Sequence, residues 1–187
     1  TKKQIHEFSE MTKKLKSLGV TFQYEHCANS AAIVDVSEAE FDLVRAGIST
    51  YGLYPSEDVH KENVLLKPAL SLKSHVAFVK DIPEGTPISY GGTFVSDKEM
   101  KVATIPVGYA DGVDRHLSCG KGFFSVNGHR VPTIGNICMD MCMLDVTGLD
   151  VKVGDTVTIF GEDPTITELA ERLGTIPYEI LTSVPRR

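Results

Sequence analysis

The sequence predicts an α/β segment followed by an all-β, antiparallel domain. Residues 1–58 combine helical apolar spacing with β-branched runs, which is the pattern of alternating helices and strands. From about residue 64 onward, short β-branched runs are separated by turn-forming residues. A polar, proline-containing segment at 55–63 lies between the two patterns. We therefore place two domains at 1–58 and 59–187.

Composition limits the functional class. The chain has 187 residues, is 42% hydrophobic and carries a net charge of −6. This length and apolar content suffice for a packed core. The acidity argues against nucleic-acid binding, which needs clustered Lys and Arg. No apolar run is long enough for a membrane span, and the N-terminal stretch lacks the apolar core of a signal peptide.

The four cysteines indicate a reducing compartment. They form no C-x-x-C pair, and their spacing suggests neither a zinc site nor a disulfide framework. We expect packed free thiols and a cytoplasmic location. Alternation in the run ICMDMCMLDV predicts a strand with Cys138, Asp140 and Cys142 on one face.

The first domain reads as helix, strand, helix, strand. An apolar stripe predicts a helix that ends at Gly19, followed by a strand at 20–26. A second helical pattern runs to Gly47, with Ser37 and Glu40 as a capping box, and a strand is predicted at 48–54. Short connections imply a parallel pair at the end of an α/β barrel. Two parallel strands cannot bury themselves, so partner strands are expected before residue 1 or on another chain.

The second domain shows repeated strand and turn signals. Alternating segments separated by PEG, ADG, NG and VGD predict a compact antiparallel barrel or sandwich. Asn127-Gly128 suits a type I′ hairpin turn. One helix is predicted near the end, capped by Thr165 or Thr167 and closed by Gly174.

Candidate binding residues of the first domain lie at element junctions. His26 falls at a predicted strand end, and Asn29 and Ser30 open the next helix. A helix start with free N–H groups favours a phosphate, although either residue could equally be a simple N-cap. Arg45 and Gly47 supply a cation and an approachable backbone before the next strand. A solvated arginine is the alternative interpretation.

Tyrosines mark turns or strand ends in the second domain. They are Tyr90 and Tyr109, with Tyr178 and, near the end of the first domain, Tyr54 less clearly placed. Each one, taken alone, fits a half-buried aromatic whose hydroxyl is in water. No Ser/His/Asp order, P-loop or G-x-G-x-x-G is present, so local chemistry indicates no particular reaction.

Eight stretches, taken in order, resemble the alanine racemases. They are HCANSAA, RAGISTYGLYP, ALSLKSHV, ISYGGTF, ATIPVGYADG, IGNICMDMCMLDV, VGDTVTIFG and IPYEIL. The resemblance implies the end of a (β/α)8 barrel followed by a β domain, in a homodimer with shared active sites. It also implies pyridoxal 5′-phosphate (PLP) as cofactor. The activity would interconvert L- and D-alanine, which supplies D-alanine for the peptidoglycan of the cell wall.

The resemblance assigns cofactor roles to several residues. Arg45 matches the arginine that hydrogen-bonds the pyridine nitrogen of PLP, and His26 matches the histidine that orients this arginine. The residues that match the phosphate shell, with Asn29 adjacent to it, are Ser30, Gly47, Ile48 and Tyr178.

The resemblance also assigns the catalytic residue. Tyr90 matches the tyrosine that handles the proton on the L side of the α-carbon, acting on the partner subunit's cofactor. The cofactor lysine of the family handles the D-side proton. Met139 matches a residue that contacts substrate, and Tyr109 matches a tyrosine at the entrance.

Two departures from the family pattern qualify this assignment. No stretch resembles the region of the cofactor lysine, which belongs to the first barrel strand, so this chain is expected to be a C-terminal part. Asn136 stands where many relatives carry an arginine near the catalytic tyrosine. A serine-preferring racemase of the same family and a non-catalytic assembly module are the alternatives. A basic amino-acid decarboxylase is disfavoured by HCANSAA together with SYGGT.

Overall fold

The structure is a computed structural model that describes residues 1–185. The chain forms two compact units, one from Thr1 to Leu70 and the other from Ser71 onward. In residues 1–185, no helix has the length and apolar character to span a membrane.

The first unit contains two α-helices and two single 3₁₀ turns. Helix α1 spans Lys2–Ser17 and helix α2 spans Ser30–Asp35, with 3₁₀ turns at Ser37–Ala39 and Ile48–Tyr51. The predicted first helix is confirmed, and Gly19 follows its end at φ +81°. The Phe8 ring of α1 packs edge-on against Phe41, with ring centroids 5.0 Å apart.

The strands predicted at 20–26 and 48–54 are wrong, and the helix predicted to run to Gly47 is confirmed only at Ser30–Asp35. Within residues 1–70 there is no β-strand. The predicted capping box does not form, because Ser37 lies inside a 3₁₀ turn at Ser37–Ala39 that has no side-chain cap. The backbone instead bends at Phe41 and Asp42, and the Asp42 carboxylate accepts a hydrogen bond from the Glu25 N–H at 2.8 Å. Contact of Phe41 with α1 and this hydrogen bond favour the bent form over a second helix.

Two extended segments of this unit nevertheless run parallel. The Asp42 N–H donates to the Glu25 carbonyl, and the Arg45 N–H donates to the Ala28 carbonyl, each at 2.9 Å. Both bonds join residues 17 apart in sequence, so residues 25–28 and 42–45 are aligned in the same direction. A parallel pair does exist, but it uses 42–45 rather than the predicted 48–54, and it lacks a continuous ladder.

The second unit is built on a seven-stranded antiparallel sheet, which confirms the predicted antiparallel, all-β character. The strands of this sheet are β1 Leu72–His75, β2 Phe78–Ile82, β5 Met100–Ile105, β6 Phe123–Val126, β7 His129–Ile134, β8 Cys142–Asp145 and β9 Thr156–Phe160. Their order in the sheet is β1-β9-β6-β7-β8-β5-β2, and all pairs are antiparallel.

A separate two-stranded ladder carries the segment around Tyr90. Strand β3 at Pro87–Ile88 pairs with β4 at Phe94–Val95, and a 3₁₀ turn at Tyr90–Gly92 connects them. Tyr90 therefore lies in a turn and not within a strand.

The sheet buries a continuous apolar core. Side chains from four strands are completely or almost completely buried, namely Ile105, Phe124, Val126, Leu144, Val157 and Ile159. A second cluster joins the β3–β4 ladder to the sheet through Ile82, Ile88, Met100, Val102 and Ile134. The base of the Tyr90 turn is therefore fixed by apolar packing at Ile88.

Local turn chemistry agrees with the sequence at the β6–β7 hairpin. Asn127 and Gly128 have φ values of +50° and +78°, the signs that a type I′ turn requires. The predicted turn is confirmed.

The run from Cys138 to Cys142 departs from its predicted strand. Only Cys142 belongs to β8, and the preceding residues form a loop. Both thiols are buried and free, as expected of packed cysteines. Burial raises the pKa of the Cys142 thiol to about 12, and the nearby Cys138 adds to this effect. The Cys142 thiol therefore stays protonated and inert.

Two short helices follow the last strand. Helix α3 at Ile166–Leu173 is capped by Thr165, which accepts from the Glu168 N–H, and it ends at Gly174 in the left-handed conformation. This confirms the predicted helix and selects the first of the two predicted caps. Helix α4 at Pro177–Ser183 was not predicted as a helix.

A charged network fastens α3 to the β6–β7 hairpin. The Arg130 guanidinium of β7 donates to Asp163 and to both carboxylate oxygens of Glu168. Arg172 also binds Glu168, and its guanidinium lies 4.7 Å from the centre of the Phe123 ring. Hydrogen bonds from Arg130 lower the pKa of both carboxyl groups below their usual values.

These lowered pKa values predict a pH-dependent contribution to stability. Protonation of a carboxyl group whose folded-state pKa is depressed costs free energy, so the contribution is present above the unfolded pKa values of 3.8 and 4.5 and is lost as pH falls through the folded ones. We expect Arg130→Gln to lower the urea midpoint of unfolding at neutral pH and to have a smaller effect at about pH 2. An equal loss at both pH values would contradict this assignment.

Candidate active site

The first group of candidate residues centres on Arg45. Its guanidinium contacts His26 Nδ1 at 2.6 Å and donates to the Cys27 carbonyl at 3.2 Å. Arginine can only donate, so Nδ1 of His26 must be the acceptor and the ring proton must lie on Nε2. Neutral His26 and the Cys27 carbonyl therefore fix the orientation of the Arg45 side chain, in the arrangement that the resemblance implies.

The second group centres on the Ser30 hydroxyl, which is only 5% exposed as a residue. Its Oγ accepts from the Gly47 N–H at 3.0 Å and from the Ser49 N–H at 3.4 Å, and it lies 3.2 Å from Ser49 Oγ. Ile48 lies between these two donors and is buried. Ser30, Gly47 and Ile48 are thus brought together. Sequence reasoning missed Ser49, although it lies in the same GIST run.

Asn29 adopts the capping role that the sequence left open. Its Oδ1 accepts from the Ala32 N–H at 3.0 Å, at the start of α2. The side chain is therefore engaged as an N-cap, whereas Ser30 contacts the chain around Gly47.

Tyr90 begins the 3₁₀ turn between β3 and β4, and it is 79% exposed. Gly91 and Gly92 follow at φ +77° and +55°, which the absence of a Cβ permits. The turn is held by Asn136, whose Nδ2 donates to the Tyr90 carbonyl at 3.0 Å. In this chain Asn136 thus contacts the backbone of Tyr90 and not its phenol.

The turn at Tyr109 and the loop that contains Met139 are joined through backbone hydrogen bonds. The Tyr109 N–H donates to the Cys138 carbonyl at 3.0 Å, and the Ala110 N–H donates to the Met139 carbonyl at 2.9 Å. Gly108 makes this approach possible, because a Cβ there would overlap the Cys138 carbonyl and lie 2.6 Å from the Met139 carbonyl carbon.

These residues border one cavity of about 380 Å³ within the second unit. Its lining includes Tyr90, Tyr109, Arg115, Asn136, Met139 and Asp140. Three candidates that are far apart in sequence, Tyr90, Tyr109 and Met139, therefore share one site. Sequence reasoning did not single out Arg115, an exposed cation at the start of a 3₁₀ turn at Arg115–Leu117, because its local pattern carries no functional signal.

Tyr178 is not among the residues that line this cavity. It lies on the first turn of α4 and is 41% exposed. The other end of α4 contacts the turn after Tyr109, where Ser183 Oγ donates to the Gly112 carbonyl at 3.2 Å.

Family models match both parts of the chain. Residues 69–187 match the model described as "Alanine racemase, C-terminal domain", and residues 1–55 match "Alanine racemase, N-terminal domain". The chain belongs to the alanine racemase family.

Curated relatives agree with this membership. An alanine racemase of Methanococcus maripaludis is 48% identical over 192 residues, covering 100% of this chain and 51% of the relative. The alanine racemase of Clostridium perfringens strain SM101 is 46% identical, covering 100% of this chain and 50% of the relative. The chain thus spans about half the length of the alanine racemases that it matches.

Solved structures of alanine racemases share the fold. The Clostridium difficile 630 enzyme in complex with cycloserine has a TM-score of 0.93 at 40% identity, with 99% of this chain and 49% of that chain covered. The Bartonella henselae enzyme with covalently bound pyridoxal phosphate has a TM-score of 0.81 at 33% identity, with 99% and 50% covered. These similarities confirm the predicted fold class, the end of an α/β barrel followed by an antiparallel β domain.

The close approach at Gly108 yields a stability prediction for this chain. We expect Gly108→Ala to lower the free energy of unfolding by about 1–3 kcal/mol, because the added methyl group must push two backbone segments apart. Chemical denaturation measures the loss. Ala110→Ser, an exposed change in the same turn, is the control and should alter stability by about 0.5 kcal/mol or less. Equal effects of the two variants would show that the approach is not tight.

Proposed function

We propose that this chain is part of a PLP-dependent alanine racemase that interconverts L- and D-alanine by a two-base mechanism. The observation that carries the proposal is the cavity shared by Tyr90, Tyr109 and Met139. It supports an active site because an exposed phenol adjoins the two residues to which the resemblance assigns substrate contact and the entrance.

The first unit offers groups that fit the cofactor. PLP presents a pyridine nitrogen and a phosphate to the protein. The Arg45 side chain, already oriented by His26, is a donor suited to the nitrogen. The Ser30 hydroxyl and the main chain at Gly47 and Ile48 form a compact polar cradle suited to the phosphate. Tyr178 is the proposed additional phosphate ligand. When bound, PLP supplies a conjugated ring that stabilises negative charge at the substrate α-carbon.

Arg45 would limit how strongly the PLP ring withdraws electrons from the substrate. A guanidinium does not give up its proton near neutral pH, so it donates a hydrogen bond without protonating the pyridine nitrogen. An unprotonated ring withdraws electrons less strongly, which limits side reactions. Neutral His26 supports this role because its Nδ1 accepts from Arg45.

Tyr90 would be the base on the L side of the α-carbon and the acid in the reverse direction. Its exposure leaves the phenol accessible to the partner subunit of the proposed homodimer. The second base is the family's cofactor lysine, which the resemblance places outside the stretch matched here. The proposed cofactor, homodimer and two-base chemistry are linked through Tyr90, which would act on the cofactor-bound substrate of the partner subunit.

Removal of the Tyr90 hydroxyl tests the proposed chemistry. In the full-length product of the reading frame that contains this chain, we expect Tyr90→Phe to slow α-proton exchange of L-alanine by about 100-fold or more, the usual worth of a general acid–base group. Exchange of D-alanine should change far less, because the opposite base remains. NMR in D₂O measures both rates. Equal losses for the two enantiomers would contradict the one-sided role.

The Ser30 cradle yields a separate binding prediction. We expect Ser30→Ala to weaken PLP binding about five- to tenfold, since one hydrogen-bonding group is lost. The absorbance of the bound cofactor measures the dissociation constant in the full-length protein. Ser37→Ala removes an exposed hydroxyl from the same unit and serves as the control. Unchanged affinity in Ser30→Ala would remove Ser30 from the phosphate shell.

A further inference from the structure

The residue before Tyr90 has an unusual backbone conformation. Ser89 has φ +66° and ψ 177°, a region occupied almost only by glycine. Such a conformation costs on the order of 1–3 kcal/mol and persists only where surrounding contacts hold it. Ser89 therefore requires a local restraint strong enough to hold this backbone.

That restraint is a pair of hydrogen bonds to one residue. Ser89 Oγ donates to the Asn136 carbonyl at 2.7 Å, and Asn136 Nδ2 donates to the Tyr90 carbonyl at 3.0 Å. Ser89 and Tyr90 are consecutive, so the two bonds close a ring between the Tyr90 turn and residue 136. We call this ring of Ser89, Tyr90 and Asn136 the tyrosine clamp.

The backbone at Gly135 lies close to the tyrosine clamp, and only a residue without a side chain fits there. A Cβ on Gly135 would lie 2.8 Å from Ser89 Cβ and 3.0 Å from the Ile88 carbonyl oxygen. Cys138 Sγ lies 3.5 Å from Ser89 Oγ. Ser89 is half-buried, and its hydroxyl thus lies against the loop at 135–138.

The rest of the turn has little stiffness of its own. Tyr90 is followed by two glycines, and the β3–β4 ladder contains only the pairs Pro87–Val95 and Ile88–Phe94. Among residues 1–185, no group hydrogen-bonds the Tyr90 hydroxyl. The location of the phenol is consequently set from its backbone end, where the clamp acts.

We propose that Ser89 and Asn136 are positioning residues that set the reach of the Tyr90 phenol toward the substrate α-carbon. This inference rests on the function proposed above. Proton transfer requires the reacting atoms within hydrogen-bond reach, and a displacement of about 1 Å can cost about 100-fold in rate. The clamp holds the Tyr90 carbonyl. Loss of the clamp would therefore let the whole residue move, while the phenol group itself stays the same.

The test compares proton exchange in two clamp variants of the full-length protein. Asn136→Ala removes the donor to Tyr90, and Ser89→Gly removes the hydroxyl while accommodating the backbone conformation without strain. Asn127→Gly is the control, because it removes an amide that donates one hydrogen bond, to Asp155, at a hairpin turn that glycine tolerates. Exchange of L- and D-alanine in D₂O is measured for each variant, together with thermal unfolding.

We expect both clamp variants to slow L-alanine exchange by about tenfold or more while D-alanine exchange stays within about twofold. Ser89→Gly should do so without a drop in unfolding temperature, which separates positioning from stability. Asn127→Gly should leave both exchange rates unchanged.

Two results would overturn the inference. Unchanged L-alanine exchange in the clamp variants, alongside a selective loss in Tyr90→Phe, would refute the clamp and leave the proposed function intact. Equal loss for both enantiomers in the clamp variants would indicate a general structural role. If Tyr90→Phe itself shows no selective loss, the proposed function fails first, so the two failures are distinguishable.

Discussion

The carbonyl groups of Asn136, Cys138 and Met139 accept hydrogen bonds from separate parts of the second unit. Ser89 donates to the first, Tyr109 to the second and Ala110 to the third. The loop at 135–139 therefore holds both the Tyr90 turn and the Tyr109 turn in place through hydrogen bonds. It is anchored in turn by Ile137, whose N–H donates to the buried Ser118 hydroxyl at 2.9 Å.

Backbone proximity at this loop depends on small residues. Gly108 lies against the backbone at Cys138 and Met139, and Gly135 lies against Ser89 and Ile88, in each case too close to admit a Cβ without displacement. Such close packing restrains the loop at 135–139, because it lets the loop form main-chain hydrogen bonds with the neighbouring segments. A site carried by turns gains from the apolar sheet beneath it the rigidity that catalysis needs.

In the first unit, hydrogen bonds orient two groups, the Arg45 guanidinium and the Ser30 hydroxyl. The Arg45 guanidinium donates to neutral His26 and to the Cys27 carbonyl. Because neither acceptor carries a negative charge, these bonds orient the guanidinium and leave its positive charge unpaired by them. Ser30 gathers two main-chain N–H groups at one oxygen. An oriented cation and a compact polar turn are what a ligand with a ring nitrogen and a phosphate requires. The aligned segments 25–28 and 42–45 bring these two arrangements into one unit.

Features governed by near neighbours could be predicted from sequence. The Asn127-Gly128 turn and the capped helix α3 depend on residues within a few positions. Extended segments of the first unit were misplaced because strands depend on pairing partners rather than on local preference. Tyr90 was expected at a turn or strand end and lies in a turn. The backbone conformation of this turn could not be predicted, since Ser89 is held by Asn136, 47 residues away. Family resemblance, and not local chemistry, selected Tyr90 among the tyrosines.

Racemisation by the full-length product of the reading frame tests the central claim most directly. Purified protein is incubated with L-alanine, and separately with L-serine, with and without added PLP, and the D-enantiomer is measured by chiral chromatography. Our account predicts formation of D-alanine that requires PLP and exceeds formation of D-serine. Absence of D-alanine from folded, PLP-loaded protein would contradict it.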